Sequence, residues 1–241
     1  MLINKMLVPS GLKNNPNQAL REIAYITVHE TGNYNVTATA KNHALYQLNG
    51  SGGRQASWYY TVDENEIWQS FEDWQRCWHC GDGNNDTGNA TSIGLEICLN
   101  SRDGYIQACL NAAWLVSELM HRHGIPLINV VPHQKWSGKA CPENMLRGAW
   151  GVTYESFLDS VGKLYAENAN ALEGPLNANT EQVHLSGIKI AHGGVVHTYR
   201  GHITDNTAYV EVRRLLENLG FMVGWDGSTS TVTVGWSPMS S

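Results

Sequence analysis

Residues 91–99 read Thr-Ser-Ile-Gly-Leu-Glu-Ile-Cys-Leu, an alternation of apolar and small or polar side chains with the two-residue period of a strand. Ile93, Leu95, Ile97 and Leu99 share one face, and Gly94, Glu96 and Cys98 share the other. A strand with one strongly apolar face requires a second layer to cover it. Two more short runs have the same character: Ala-Tyr-Ile-Thr-Val at 24–28, which ends at His29, and 129–131. Residues 37–48 lack Gly and Pro and space their apolar positions as a helix. Residues 104–123 also have helical spacing, with Ile106, Leu110, Ala113, Trp114, Leu119 and Met120, closed by Gly124 and Pro126. Residues 56–62 and 67–71 flank the turn residues 63–66 and read as a hairpin. The order strand, helix, hairpin, strand, helix, strand predicts an α/β fold, a mixed central β-sheet flanked by helices.

Residues 1–22 read as a polar lead-in, and helices at 144–150 and 154–165 complete a first domain, 1–165. Residues 166–180 are poor in large apolar side chains and read as a linker. Residues 181–241 are then a small C-terminal α+β domain, with strands at 183–190 and 195–199, a helix at 209–219 and a hairpin over 221–234.

Composition narrows the function classes. A net charge of −6 argues against a duplex-binding surface, which is usually basic, so no nucleic-acid partner is expected. No run of about eighteen apolar residues occurs, so no membrane span is expected. The first residues, Met-Leu-Ile-Asn-Lys-Met, lack a secretory apolar core, which predicts no signal peptide and synthesis in the cytoplasm. Five cysteines without an export signal read as free thiols plus at most a metal ligand, not a disulfide framework.

The segment 132–142, Pro-His-Gln-Lys-Trp-Ser-Gly-Lys-Ala-Cys-Pro, carries the first chemistry. His133 and Cys141 suit a borderline-soft cation such as zinc, but two ligands are too few. Proline and glycine make it a loop rather than a helix. His29, at the carboxyl end of a core strand, supplies a third ligand type, although an isolated strand-end histidine is more often a hydrogen-bonded core residue. Two imidazoles and a thiolate leave one tetrahedral position open, as in catalytic zinc sites. Glu96 stands in mid-strand between apolar neighbours, either on a solvated sheet face or as a tuned general base. Lys139, two residues before Cys141, is a cation for a developing oxyanion. Cys77 and Cys80 form a Cys-x-x-Cys pair with neither a second such pair nor a following helix, so neither a zinc knuckle nor a redox dithiol is supported.

Five segments, in order, carry a family resemblance. They are Ile-Thr-Val-His-Glu-Thr at 26–31, Ala-Ser-Trp-Tyr-Tyr-Thr-Val-Asp at 56–63, Trp-His-Cys-Gly-Asp at 78–82, Ser-Ile-Gly-Leu-Glu-Ile at 92–97, and the His-to-Pro segment 133–142. The ordered set resembles the type-2 N-acetylmuramoyl-L-alanine amidases, which include phage endolysins, muropeptide amidases and peptidoglycan recognition proteins. The resemblance implies Zn2+ held by His29, His133 and Cys141, with Glu96 as base and Lys139 as oxyanion stabiliser. It further implies cleavage of the bond between N-acetylmuramic acid and L-alanine in bacterial peptidoglycan. His79 matches a position near the substrate, and Trp58 and Tyr59 are expected to join it there, although Tyr59 stands where the family often has His. For a phage endolysin, the protein would stay in the host cytoplasm until lysis and then act on the wall. The competing expectation is a non-catalytic peptidoglycan-binding module of the same fold, which commonly lacks the cysteine ligand. Residues 207–234 resemble the small module at the N-terminus of copper amine oxidases; no copper ligand set is evident, and wall targeting is the role expected of it.

Overall fold

The structure is a computed structural model. It describes residues 1–172, with side chains to residue 167, and beyond them the backbone of six strands between residues 188 and 236. The chain divides into two compact units, Met1–Ala169 and Asn170–Ser241.

The first unit is a mixed α/β fold around a six-stranded sheet. Its strands are β1 (Ile3–Lys5), β2 (Tyr25–Glu30), β3 (Tyr60–Val62), β4 (Ile67–Gln69), β5 (Ser92–Ile97) and β6 (Val130–Pro132), in the spatial order β1-β4-β3-β5-β2-β6. Only β3 and β4 pair antiparallel; the other neighbours are parallel. The β3–β4 hairpin turns on Asp63, whose Oδ1 accepts the amides of Asn65 and Glu66 at 2.8 Å. Its Oδ2 accepts the amide of Ala40 at 2.8 Å, tying the hairpin to the start of helix α1 (Ala40–Leu48).

Helix α3 (Tyr105–His123) packs on β3 and β5. Ile93, Leu95 and Ile97 are fully buried in one core cluster with Ala112, Leu115, Val116 and Leu119 of that helix. A one-residue slip of β5 would exchange these side chains for Gly94, Glu96 and Cys98. With each buried aliphatic side chain worth about 2 kcal/mol, the pattern admits a single register. Gly124, at φ +67°, ends α3 in the left-handed conformation.

Several elements differ from the sequence expectation. The lead-in contains β1, an edge strand that pairs parallel with β4. Helix α2 (Thr87–Thr91) lies within what reads as a Gly- and Asn-rich loop. Asp82 induces it by accepting the amides of Gly88 at 2.7 Å and Asn89 at 3.3 Å. The segment 132–142 is not wholly a loop, since Gln134–Ser137 forms the short helix α4. The helix expected over 144–150 is α5 (Glu143–Leu146) followed by a tight turn at Ala149–Gly151. Helix α6 runs from Tyr154 to Leu172, past the expected linker start at 166, because neither Gly nor Pro occurs between 166 and Gly174-Pro175.

In the second unit, β7 (Ile188–His192) pairs with β8 (Val195–Tyr199), β9 (Gly201–Thr204) with β10 (Thr207–Val210), and β11 (Phe221–Asp226) with β12 (Thr231–Trp236), all antiparallel. The last pair is the hairpin expected over 221–234. Tyr209 and Val210 belong to β10, so the helix expected from 209 does not begin there. The rest of that expectation, 211–219, lies outside the described residues, as do 183–187 of the expected first strand.

Candidate functional site

His29 and Glu96 face each other across the sheet. They are partners in the β2–β5 register, and Thr61 of β3 is the next partner beyond Glu96. Alternation puts all three on the face opposite the α3 core. Strand β6 pairs with β2 as far as Val28↔Pro132, and His133 follows, its amide donating to the Val28 carbonyl at 3.2 Å. The chain then turns through α4 and returns Cys141 to the same point.

His29, His133 and Cys141 are all buried, and one ligand atom from each lies within 4.8 Å of the others. Nδ1 of His29 is 3.0 Å from Nδ1 of His133, and Sγ of Cys141 is 3.9 Å from Nδ1 of His29. The return of the cysteine is fixed from below by Glu30. This buried carboxylate accepts the Asn144 amide at 2.8 Å and the hydroxyl of Tyr105. Trp136 of α4 anchors the other side, donating from Nε1 to Thr27 Oγ1 at 2.9 Å and meeting Tyr25 edge-on.

The electrostatics fit a cation. Burial holds His29 well below the usual imidazole range, helped by the neighbouring His79, His133 and Lys139 charges. Burial likewise lowers His133. Both rings are therefore neutral at pH 7, the form that ligates metal. Burial pushes the Cys141 thiol up to about 12, with Glu96 adding to the effect. A zinc ion in the pocket would reverse that, since thiol ligation to the metal releases the proton. Two imidazole nitrogens and one sulfur are the donor set of a catalytic zinc site with an open position.

Glu96 borders a cleft of about 540 Å³, whose other walls include Asn33, Asn35, His43, Arg54 and Trp58. Its Oε2 is buried without a hydrogen-bond partner. Burial pushes the carboxyl up to about 8, against the opposing Lys139 ammonium and with support from Glu30. Lys139 is exposed, and its charge acts on Glu96, His29, His133 and Cys141 together.

The structure thus gathers His29, His133, Cys141, Glu96 and Lys139 at one place. A profile described as N-acetylmuramoyl-L-alanine amidase matches residues 19–144. The chain belongs to this amidase family. It is similar to the N-acetylmuramoyl-L-alanine amidase CwlH of Bacillus subtilis (strain 168), 45% identical over 144 residues, 60% of this chain and 56% of that protein. XlyA of the same organism is 44% identical over 155 residues, 64% of this chain and 49% of that protein. The chain spans about half the length of these curated relatives. Among solved structures, the catalytic domain of XlyA is 44% identical with a TM-score of 0.61, covering 67% of this chain and all 100% of that domain. PlyL is 37% identical with a TM-score of 0.58, covering 67% and 97%.

The expected substrate contacts of this family member separate in space. Trp58 lines the cleft, with Nε1 held by Thr61 Oγ1 at 2.7 Å. Tyr59 does not reach it: the residue is fully buried and its hydroxyl donates to the Gln75 carbonyl at 2.5 Å. His79 is 9% exposed, with both ring nitrogens bonded inside the protein. Of these three, Trp58 alone lines the cleft. The cysteines are all buried free thiols. Cys77 and Cys80 are not joined, and Cys80 enters the site through its carbonyl, 2.8 Å from Nε2 of His133. Glu30 is a functional-site residue for which the sequence offers no signal beyond a carboxylate that follows an apolar strand.

Proposed function

We propose that the chain is a zinc-dependent N-acetylmuramoyl-L-alanine amidase of the phage-endolysin type, hydrolysing the amide between N-acetylmuramic acid and L-alanine in bacterial peptidoglycan. The observation that carries this reading is the convergence of two neutral imidazoles and a cysteine beside a carboxylate that opens on a cleft. The amidase activities named for CwlH and XlyA support it.

His29, His133 and Cys141 would hold the zinc, which when bound supplies Lewis acidity to the scissile carbonyl. Glu96, in the ionised form that the Lys139 charge favours against burial, takes a proton at a carboxylate oxygen from the attacking water and returns it to the departing alanine nitrogen. The new C–O bond forms first, placing negative charge on the carbonyl oxygen, and the C–N bond breaks as the nitrogen gains its proton, leaving a muramyl carboxylic acid and a free alanine amine. Lys139 stands against the negative charge that develops on the carbonyl oxygen. Trp58, presenting an aromatic face in the cleft, stacks on sugar or stem peptide. Residues 1–165 form the catalytic domain in this reading, and 181–241 target the wall, on a module resembling that of copper amine oxidases. Accumulation in the host cytoplasm until lysis accords with the endolysin role. Among the described residues, no helix is long and apolar enough to cross a membrane.

The test is clearance of purified cell walls with and without a chelator, beside Glu96→Gln and Cys141→Ser. We expect chelation and Cys141→Ser to abolish lysis, and Glu96→Gln to lower it by at least about 100-fold while zinc remains bound. Lysis that survives all three would overturn the reading, as would new reducing sugar ends in place of new N-terminal alanine. Wall binding without any lysis would favour the binding-module alternative.

A further inference from the structure

His79 has no part in the chemistry above, yet it is buried against the pocket with both ring nitrogens engaged. Its ring lies across β5 in a space that exists only because residue 94 is glycine. A Cβ there would stand 2.5 Å from His79 Nδ1 and 2.7 Å from Cε1. Its Nε2 is 3.3 Å from the Ser92 carbonyl, and its Nδ1 is 2.9 Å from Nε2 of His29 and 3.3 Å from Sγ of Cys80.

These contacts fix the protons in sequence. A carbonyl oxygen only accepts, so Nε2 of His79 carries the hydrogen. Nδ1 of a neutral His79 is then a lone pair, and the hydrogen between the rings belongs to Nε2 of His29. That leaves Nδ1 of His29 as a lone pair aimed at His133 and Cys141. His133 reaches the same state through the Cys80 carbonyl at 2.8 Å from its Nε2, a backbone partner that no substitution removes, with the Ser137 hydroxyl 3.0 Å from the same nitrogen. For His29 the partner is a side chain.

We infer that His79 is a positioning residue for the metal site: by accepting from Nε2 of His29 it holds that ring in the tautomer and orientation that present Nδ1 to the zinc. The inference rests on the metal reading above. An acceptor behind a ligating histidine is a general requirement for orienting it, and loss of one typically lowers metal affinity 10–100-fold. Here the acceptor is a neutral imidazole that is itself held by the backbone. It fixes the ligand ring without placing a carboxylate charge behind the metal.

The experiment measures zinc affinity of the full chain by chelator competition for wild type, His79→Leu and His79→Asn, with circular dichroism to establish folding. Asparagine can place its carbonyl oxygen near the former Nδ1; leucine fills space and accepts nothing. We expect about 10–100-fold weaker zinc binding in His79→Leu, with recovery of most of the loss in His79→Asn. A folded leucine variant with wild-type affinity, or an asparagine variant no better than leucine, overturns the inference. Should His79→Leu fail to fold, imidazole nitrogen NMR of the labelled wild-type protein decides. The expected signature is a protonated Nε2 on His29, and a protonated Nδ1 overturns the proposal. A wild type that binds no zinc sinks the metal reading instead, and the NMR result still tests the role of His79.

Discussion

At the scale of single residues, the site depends on atoms that cannot retreat. Gly94 has no side chain because the ring of His79 occupies the place. Gly94→Ala should therefore cost about 1–3 kcal/mol in denaturant unfolding. It should also weaken zinc binding, although residue 94 touches no ligand atom; unchanged zinc affinity would show that the ring shifts freely. Glu96 gives a pH signature in the metal-free protein. Its carboxyl loses its proton near pH 8 when folded and near the ordinary 4.5 when unfolded. The folded state thus binds the extra proton between these values, and stability falls as pH rises through that window. Glu96→Gln, which cannot ionise, should match wild type in thermal melting below about pH 4 and exceed it increasingly up to about pH 8. A constant difference across that range would contradict the assignment. The sequence marked Glu96 as unusual by its place between isoleucine and leucine. It did not say whether cleft or solvent lay beyond, because that depends on which element covers the face.

At the scale of elements, the far end of the sheet is held by a polar cluster around Asp73. Its Oδ1 accepts the Tyr60 hydroxyl from β3, and its Oδ2 accepts Arg122 at 2.9 Å and His123 at 2.8 Å from the end of α3. Burial alone would raise this carboxyl, but the hydrogen bonds from His123 and Tyr60 and the nearby positive charges outweigh it and hold it below its ordinary 3.8. A lowered carboxylate contributes stability above the unfolded value that is lost as pH falls through and below it. Asp73→Asn should therefore destabilise the first unit by about 3 kcal/mol at pH 7, with the difference shrinking towards pH 3. Denaturant melts at both pH values check this. None of the cluster was legible, because its members are far apart in sequence and carry no motif. Helix α3 itself was legible to within a residue, since its periodic apolar face and its Gly124 stop are local signals. Helix α2 was not. It is short, rich in glycine and asparagine, and held by Asp82 from outside its own span.

At the scale of the molecule, the first unit closes its own core, with Phe157 and Val161 of α6 inside it. Residues 1–172 alone should fold and hydrolyse soluble muropeptides at a rate similar to the full chain. Clearance of intact walls should fall if residues 181–241 supply targeting. Co-sedimentation of 181–241 with susceptible walls checks the second part, and an inactive 1–172 fragment would contradict the first. What the sequence determined by itself is most of the inventory: the longer strands and helices from their periods, and His29, Glu96, His133, Lys139 and Cys141 as candidates for the chemistry. The tertiary structure decided how these meet. Periodicity records which side of an element is buried, but strand order and register arise from pairings between residues as distant as His29 and Glu96. Only that register sets the imidazole beside the carboxylate. Only the tertiary packing brings His79 over Gly94 and against the ring of His29.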